Sequence, residues 1–148
     1  MQPRVKYANR ENTRMRIVGY LNATTGTVHA EDMPEVTAAR LAQSVSHLSD
    51  WYPDAETIYL VWDNWPNHDS KEVRKALDRQ PRVQVLWLPT YSPWLNAIEK
   101  LWKWLRQTVV HAHPWCDDFR QFRQNLMAPL QNLAFGSQDI LRYVGLHA

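Results

Sequence analysis

Two carboxylates in this 148-residue chain stand where acids can do chemistry. Asp63 ends the apolar run Thr57–Trp62 (TIYLVW), and α/β sheets collect ligand-binding groups at the carboxyl ends of their strands. Glu99 falls in the first turn of a helix predicted from about Asn96 to His111, after the run Val83–Leu88 and the proline-bounded loop PTYSPWLN. If the two runs are neighbouring strands, both carboxylates point into one cleft. Hard divalent cations take carboxylate oxygens from one or two protein groups, with water and substrate phosphate completing the shell. Paired metals about 3.5–4 Å apart serve phosphodiester chemistry. Each acid also has a plainer reading. Asp63 could form a turn before Asn64; Glu99 could close a capping box with Asn96 or pair with Lys103 at i+4. Spacing alone leaves both open.

The elements that would position these acids follow from patterning. Met15–Leu21 and Thr27–Ala30 flank an Asn/Thr/Gly turn and read as a hairpin. Thr37 is placed to cap a helix with Leu41, Val45, Leu48 and Tyr52 on one face, ending near Pro53. The run TIYLVW reads as a strand covered on both faces. Ser70 caps a short basic helix to about Arg79, and Val83–Leu88 is a further strand. The helix from Asn96 carries the stripe Ile98, Leu101, Trp102, Leu105 and Val109 and is expected to end at Pro114. A last helix opens at Asp117 or Asp118 with Phe119, Phe122, Leu126 and Leu130 inward. Pro129 should kink or end it, before another turn or two over Ser137–Val144. The pattern is α/β, one domain over residues 1–148 with a mixed sheet flanked by helices.

Composition narrows the function classes. Eight Trp, six Tyr and three Phe exclude a disordered chain. No apolar run reaches the roughly 20 residues of a membrane span, and no signal-peptide core opens the chain. Four Gly supply no phosphate-cradling loop, and the lone Cys116 makes a reducing, cytosolic setting the default. His111, His113 and Cys116 lack the paired knuckles of a zinc site. Net charge is +2, but residues 1–20 carry a surplus of four basic groups and residues 31–56 a deficit of five. Basic groups return at Lys71, Arg74, Lys75, Arg79 and Arg82, and again at Lys100, Lys103 and Arg106. Such patches suit a polyanion, and equally a solvated helix face.

The strings LVWDNWPNH (Leu60–His68) and LPTYSPWLNAIEKLWKWL (Leu88–Leu105) resemble the second and third catalytic motifs of DDE-superfamily transposases, in their mariner-like and bacterial insertion-sequence branch. Thirty-five residues separate Asp63 from Glu99, within one of the family's usual interval. RIVGYLNATTGTVH resembles the family's second and third strands, so the likeness spans roughly residues 4–110. It implies an RNase H-like fold and metal-dependent cutting and rejoining of DNA. Mg²⁺ or Mn²⁺ would be the cofactor, transposon-end and target DNA the partners, and the bacterial cytosol and nucleoid the setting. It also implies that Asp63 and Glu99 are catalytic and metal-binding. Asn64, His68, Tyr91 and Asn96 would shape the site, and Lys100, Lys103 and Arg106 would contact DNA.

The family's first catalytic Asp lies on a strand ahead of the hairpin, whereas residues 1–14 contain no Asp and Glu11 is their only acid. Asp32 follows the hairpin, on the wrong side. The expectation is a catalytic domain lacking its first strand, its first Asp and the N-terminal DNA-recognition region. Two carboxylates then hold one metal weakly, and strand edges await residues 3–9 or a second subunit. The alternative function is an inactive remnant that binds DNA or another transposase chain.

Overall fold

The structure is a computed structural model that describes residues 16–110, 119–133 and 136–146. The expectations placed on residues 3–9, Glu11, His111, His113, Pro114, Cys116, Asp117 and Asp118 lie outside those residues. The chain divides into two compact units. One comprises the chain up to Glu35 together with the chain from Ala97; the other is Val36–Asn96. Among the described residues each unit holds one two-stranded sheet, antiparallel in the first and parallel in the second.

In the first unit, β1 (Ile17–Leu21) pairs antiparallel with β2 (Val28–Asp32), Gly19 opposite Ala30. The turn between them is made by Asn22, whose side-chain oxygen accepts from the amides of Thr24 (2.8 Å) and Thr25 (3.1 Å). Gly26 closes it at φ 74°, with the Ser137 carbonyl where a side chain would stand, so only glycine fits. The helices here are α4 (Ala97–Leu105), continued by a π-helical turn over Arg106–Val110, then α5 (Phe119–Asn132) and α6 (Gln138–Val144). Val28, Leu101, Leu105, Leu126, Leu130 and Ile140 form the core of this unit, with Ile98, Trp102 and Trp104 packed against it. Trp102 lies over Gly19, its ring 2.6 Å from the point a β-carbon would occupy.

One alternative expected for this unit drops out. Pro129 does not end α5, which runs on to Asn132. A proline removes one helical hydrogen bond, while the fully buried Leu126 and Leu130 bind the helix to the core on both sides of it. Asp32, the last residue of β2, accepts from Arg123 Nε on α5 at 2.6 Å.

The second unit begins with Thr37, whose hydroxyl caps α1 (Ala38–Val45) by accepting from the Arg40 amide at 3.2 Å. The single helix expected here is two, α1 and α2 (Leu48–Trp51). Ser46 Oγ donates to the Gln43 carbonyl, a local bond that competes with helix continuation. The parallel strands are β3 (Ile58–Trp62) and β4 (Val83–Trp87), in register from Ile58–Val83 to Trp62–Trp87. Between them lie a 3₁₀ turn (Pro66–Asp69) and α3 (Lys71–Asp78), capped by Ser70 as expected. Gln80 is buried and fully used: Nε2 donates to the Val45 and Ala76 carbonyls, and its oxygen accepts from the Ser49 amide. The strand β3 is covered on one face only. Tyr59 and Val61 are exposed while Trp62 is buried, so its continuous apolar run sits as an alternating strand.

Candidate active site

Among the described residues, the hydrogen bonds of Asp63 are made within the second unit. The ladder of β3 and β4 extends one step past Trp62, whose carbonyl accepts from the Leu88 amide at 2.9 Å. Asp63 therefore leaves the sheet at the carboxyl end of two adjacent parallel strands, as the neighbouring-strand expectation required. Asn64 bridges the two strand ends, its side-chain amide donating to the Leu88 carbonyl and to Thr90 Oγ1, each at 3.1 Å. The 3₁₀ turn then carries His68 back to the acid.

His68 Nδ1 stands 3.0 Å from Asp63 Oδ1 and 3.0 Å from the Asp63 backbone carbonyl. Both are acceptors, so the proton belongs on Nδ1, which donates to the backbone carbonyl with the carboxylate oxygen alongside. The imidazole is fixed in turn by stacking on Trp62 at 4.3 Å and 6°, with Trp65 edge-on at 5.3 Å. The Trp65 amide donates to the same Oδ1 at 3.1 Å. Asp63 thus does form the turn that its spacing suggested, but both contacts fall on one oxygen. Oδ2 carries none among the described residues, and the side chain is half exposed. A carboxylate with one oxygen tethered by an imidazole and the other facing outward is a common arrangement for a cation ligand.

Residues 1–123 match the family described as DDE superfamily endonuclease. The chain belongs to the DDE superfamily of endonucleases. It is also 32% identical over 103 residues to the insertion element IS630 uncharacterized 39 kDa protein of Shigella sonnei, covering 70% of this chain. The chain spans about 30% of that relative's length. The mixed α/β arrangement of strands and helices is consistent with the RNase H-like fold of DDE enzymes.

Glu99 of this DDE chain belongs to the other unit, in the first turn of α4. It is partly buried, and neither the capping box with Asn96 nor the ion pair with Lys103 forms among the described residues. Its helix is held instead by the buried Leu101 and Leu105. Of the basic groups on α4, Lys103 is exposed, and Lys100 is exposed with its amine over Gly145, the left-handed cap that ends α6. Arg106 is partly buried in the π-helical turn.

Two basic groups of the second unit are committed elsewhere. Arg82 donates to the Ser49 and Tyr52 carbonyls, each at 2.9 Å, and Arg74 grips Asp69 with two bonds of 2.8 and 2.6 Å. That grip holds the Asp69 carboxyl below its usual range and the Arg74 guanidinium above its own. Lys71 and Lys75 on α3 remain exposed.

Residue types and spacing did not reveal the parts played by Trp62 and Thr90. Trp62 is the stacking floor of His68, and Thr90 is the second acceptor for Asn64. The available signal was the adjacency of Trp62 to Asp63 with a His five residues on, which a tight turn folds into one cluster.

Proposed function

We propose that this chain carries the catalytic centre of an insertion-sequence transposase, cleaving DNA and transferring the freed 3′ end to target DNA. Asp63 and Glu99 would be the metal-binding carboxylates. The observation that carries this reading is the tether on Asp63: one oxygen accepts from the Trp65 amide and lies 3.0 Å from His68 Nδ1, leaving the other for a cation.

The donor chemistry fits a hard cation. No cluster of three or more His, Cys, Asp or Glu occurs among the described residues, as a zinc or calcium cage would need. One or two carboxylates with water and phosphate oxygens is the way Mg²⁺ is usually held. A bound Mg²⁺ or Mn²⁺ would supply Lewis-acid stabilisation of the charge that develops on the phosphodiester. His68 orients the Asp63 turn by donating to its backbone carbonyl, with the carboxylate oxygen 3.0 Å from the same nitrogen. Asn64 fixes the loop after β4 against the loop after β3, so that both strand ends form one surface for the DNA. No helix among the described residues is long and apolar enough to cross a membrane.

The test is Mg²⁺- or Mn²⁺-dependent nicking of insertion-element end DNA by this polypeptide, with Asp63→Asn and Glu99→Gln as comparisons. Metal-dependent nicking that both substitutions abolish is the expected result. Nicking that survives both would remove these residues from the centre, and no nicking at all would overturn the reading of this chain as the enzyme.

A further inference from the structure

The loop from Leu88 to Asn96 is built in a way that folding does not explain. Tyr91 sits at φ 60°, in the left-handed region, where a bulky side chain is a true outlier. Its ring is 90% exposed, so it repays that backbone conformation with no packing. Glycine or asparagine would adopt the same turn more cheaply. Three residues on, Trp94 is 71% exposed and Leu95 54%. The 3₁₀ turn Pro93–Leu95 holds Trp94 through amide bonds from Leu95 to Ser92 and from Asn96 to Pro93, so its outward placement is set by the backbone.

The loop is tied to the catalytic carboxylate. Asn64, next to Asp63, donates to Leu88 and Thr90 at the loop's start. Residues 88–96 contain no charged side chain, so nothing on the loop repels phosphate. Exposed aromatic rings on a hydrogen-bonded turn beside an acid proposed to act on a phosphodiester match the surfaces on which proteins stack bases.

We propose that Tyr91 and Trp94 form a stacking platform for unpaired nucleobases flanking the phosphate that is cut. This rests on the assignment of Asp63 as a catalytic residue. It adds that the substrate is read in a locally unpaired form: bases next to the cut leave the helix and lie on these rings.

The experiment uses the full chain and a short single-stranded oligonucleotide carrying 2-aminopurine, whose fluorescence is quenched on stacking, with a fully paired duplex as comparison. Quenching by the unmodified chain is expected. Trp94→Ala and Tyr91→Gly should weaken oligonucleotide binding roughly 5- to 100-fold, the span of one base–aromatic stack, and change duplex binding little. Trp94→Phe and Tyr91→Phe should keep most of the quench. Tyr91→Gly suits this purpose because it removes the ring and keeps the left-handed backbone, so thermal stability should hold or rise.

Unquenched fluorescence with the unmodified chain would overturn the platform, as would unchanged oligonucleotide binding by the Ala and Gly variants. A loss of thermal stability in Tyr91→Gly with binding intact would assign the ring to folding. A shift in sedimentation with binding intact would assign it to a protein contact. Any of these beside intact metal-dependent nicking would leave Asp63 and Glu99 in place. Loss of nicking and of all DNA binding in the unmodified chain would remove both readings together.

Discussion

The two carboxylates of this DDE chain are held by opposite means. Asp63 is positioned by polar contacts: an imidazole and a backbone amide on one oxygen, with a tryptophan ring behind the imidazole. Glu99 has no hydrogen bond or ion pair of its own among the described residues, and what fixes it is the helix beneath it, pinned by Leu101 and Leu105. A carboxylate on a tight turn after a strand has few backbone restraints, so its direction must come from polar partners in that turn. A carboxylate in a helix inherits its direction from the helix axis and needs only that the helix stay docked. The first arrangement should fail through loss of one hydrogen bond, the second through loss of apolar packing.

The largest effect should come from the packing side. Leu101 is fully buried, and Leu101→Ala should cost about 2–5 kcal/mol of stability through lost transfer energy and the cavity left behind. The check is denaturant unfolding followed by far-UV circular dichroism. A loss below about 1 kcal/mol would mean that α4 is not held by this core, and the contrast between the two acids would collapse. Gly19→Ala probes the same support from the strand side. Its new methyl would meet the Trp102 ring at 2.6 Å, and overpacking of this kind costs about 1–3 kcal/mol.

The contrast also explains how much the sequence could tell. The helix caps at Thr37 and Ser70, the hairpin around Asn22–Gly26 and the leucine stripe of α4 were legible because each depends on neighbours within a few residues. The place of Asp63 at the end of two adjacent parallel strands was legible in the strand pattern. What holds Asp63 was not legible, because it depends on a 3₁₀ turn bringing His68 back onto Trp62 and Asp63 at once. The one-sided covering of β3 was misread for a related reason. An apolar run records what a strand could bury, and Tyr59 and Val61 show that which face is covered is decided by the rest of the fold. Pro129 leaves α5 continuous because a proline rule is local, while the burial of Leu126 and Leu130 is tertiary.

The polar side of the contrast is tested at His68. His68→Ala should lower nicking about 10- to 100-fold, the usual consequence of removing the partner that orients a metal ligand, and should raise the Mg²⁺ concentration needed for half-maximal rate. His68→Asn retains a donor and should recover part of the loss. The stability change should be smaller than that of Leu101→Ala, since His68 is partly exposed and its contacts are local. If both variants lose activity only in proportion to lost folding, His68 would be a packing residue and Asp63 would not depend on it.

The smallest effect is one of pH, and it belongs to the apolar unit. His29 lies on β2, and burial holds its imidazole below the ordinary value of 6.5. The unfolded chain therefore binds this proton more readily than the folded one. Above pH 6.5 both states are neutral and the group adds no pH dependence. As the pH falls through the ordinary histidine value towards the lower folded one, the unfolded state gains protons first and stability declines; below both values the loss stops growing. Amide hydrogen exchange in β1 and β2 should quicken over that interval, and His29→Gln should flatten the dependence. An unchanged slope in the variant would assign the acid sensitivity of the hairpin to another group. A flattened slope would show that the surface supporting Glu99 weakens by charging a half-buried ring at the sheet, a route separate from the hydrogen bonds that orient Asp63.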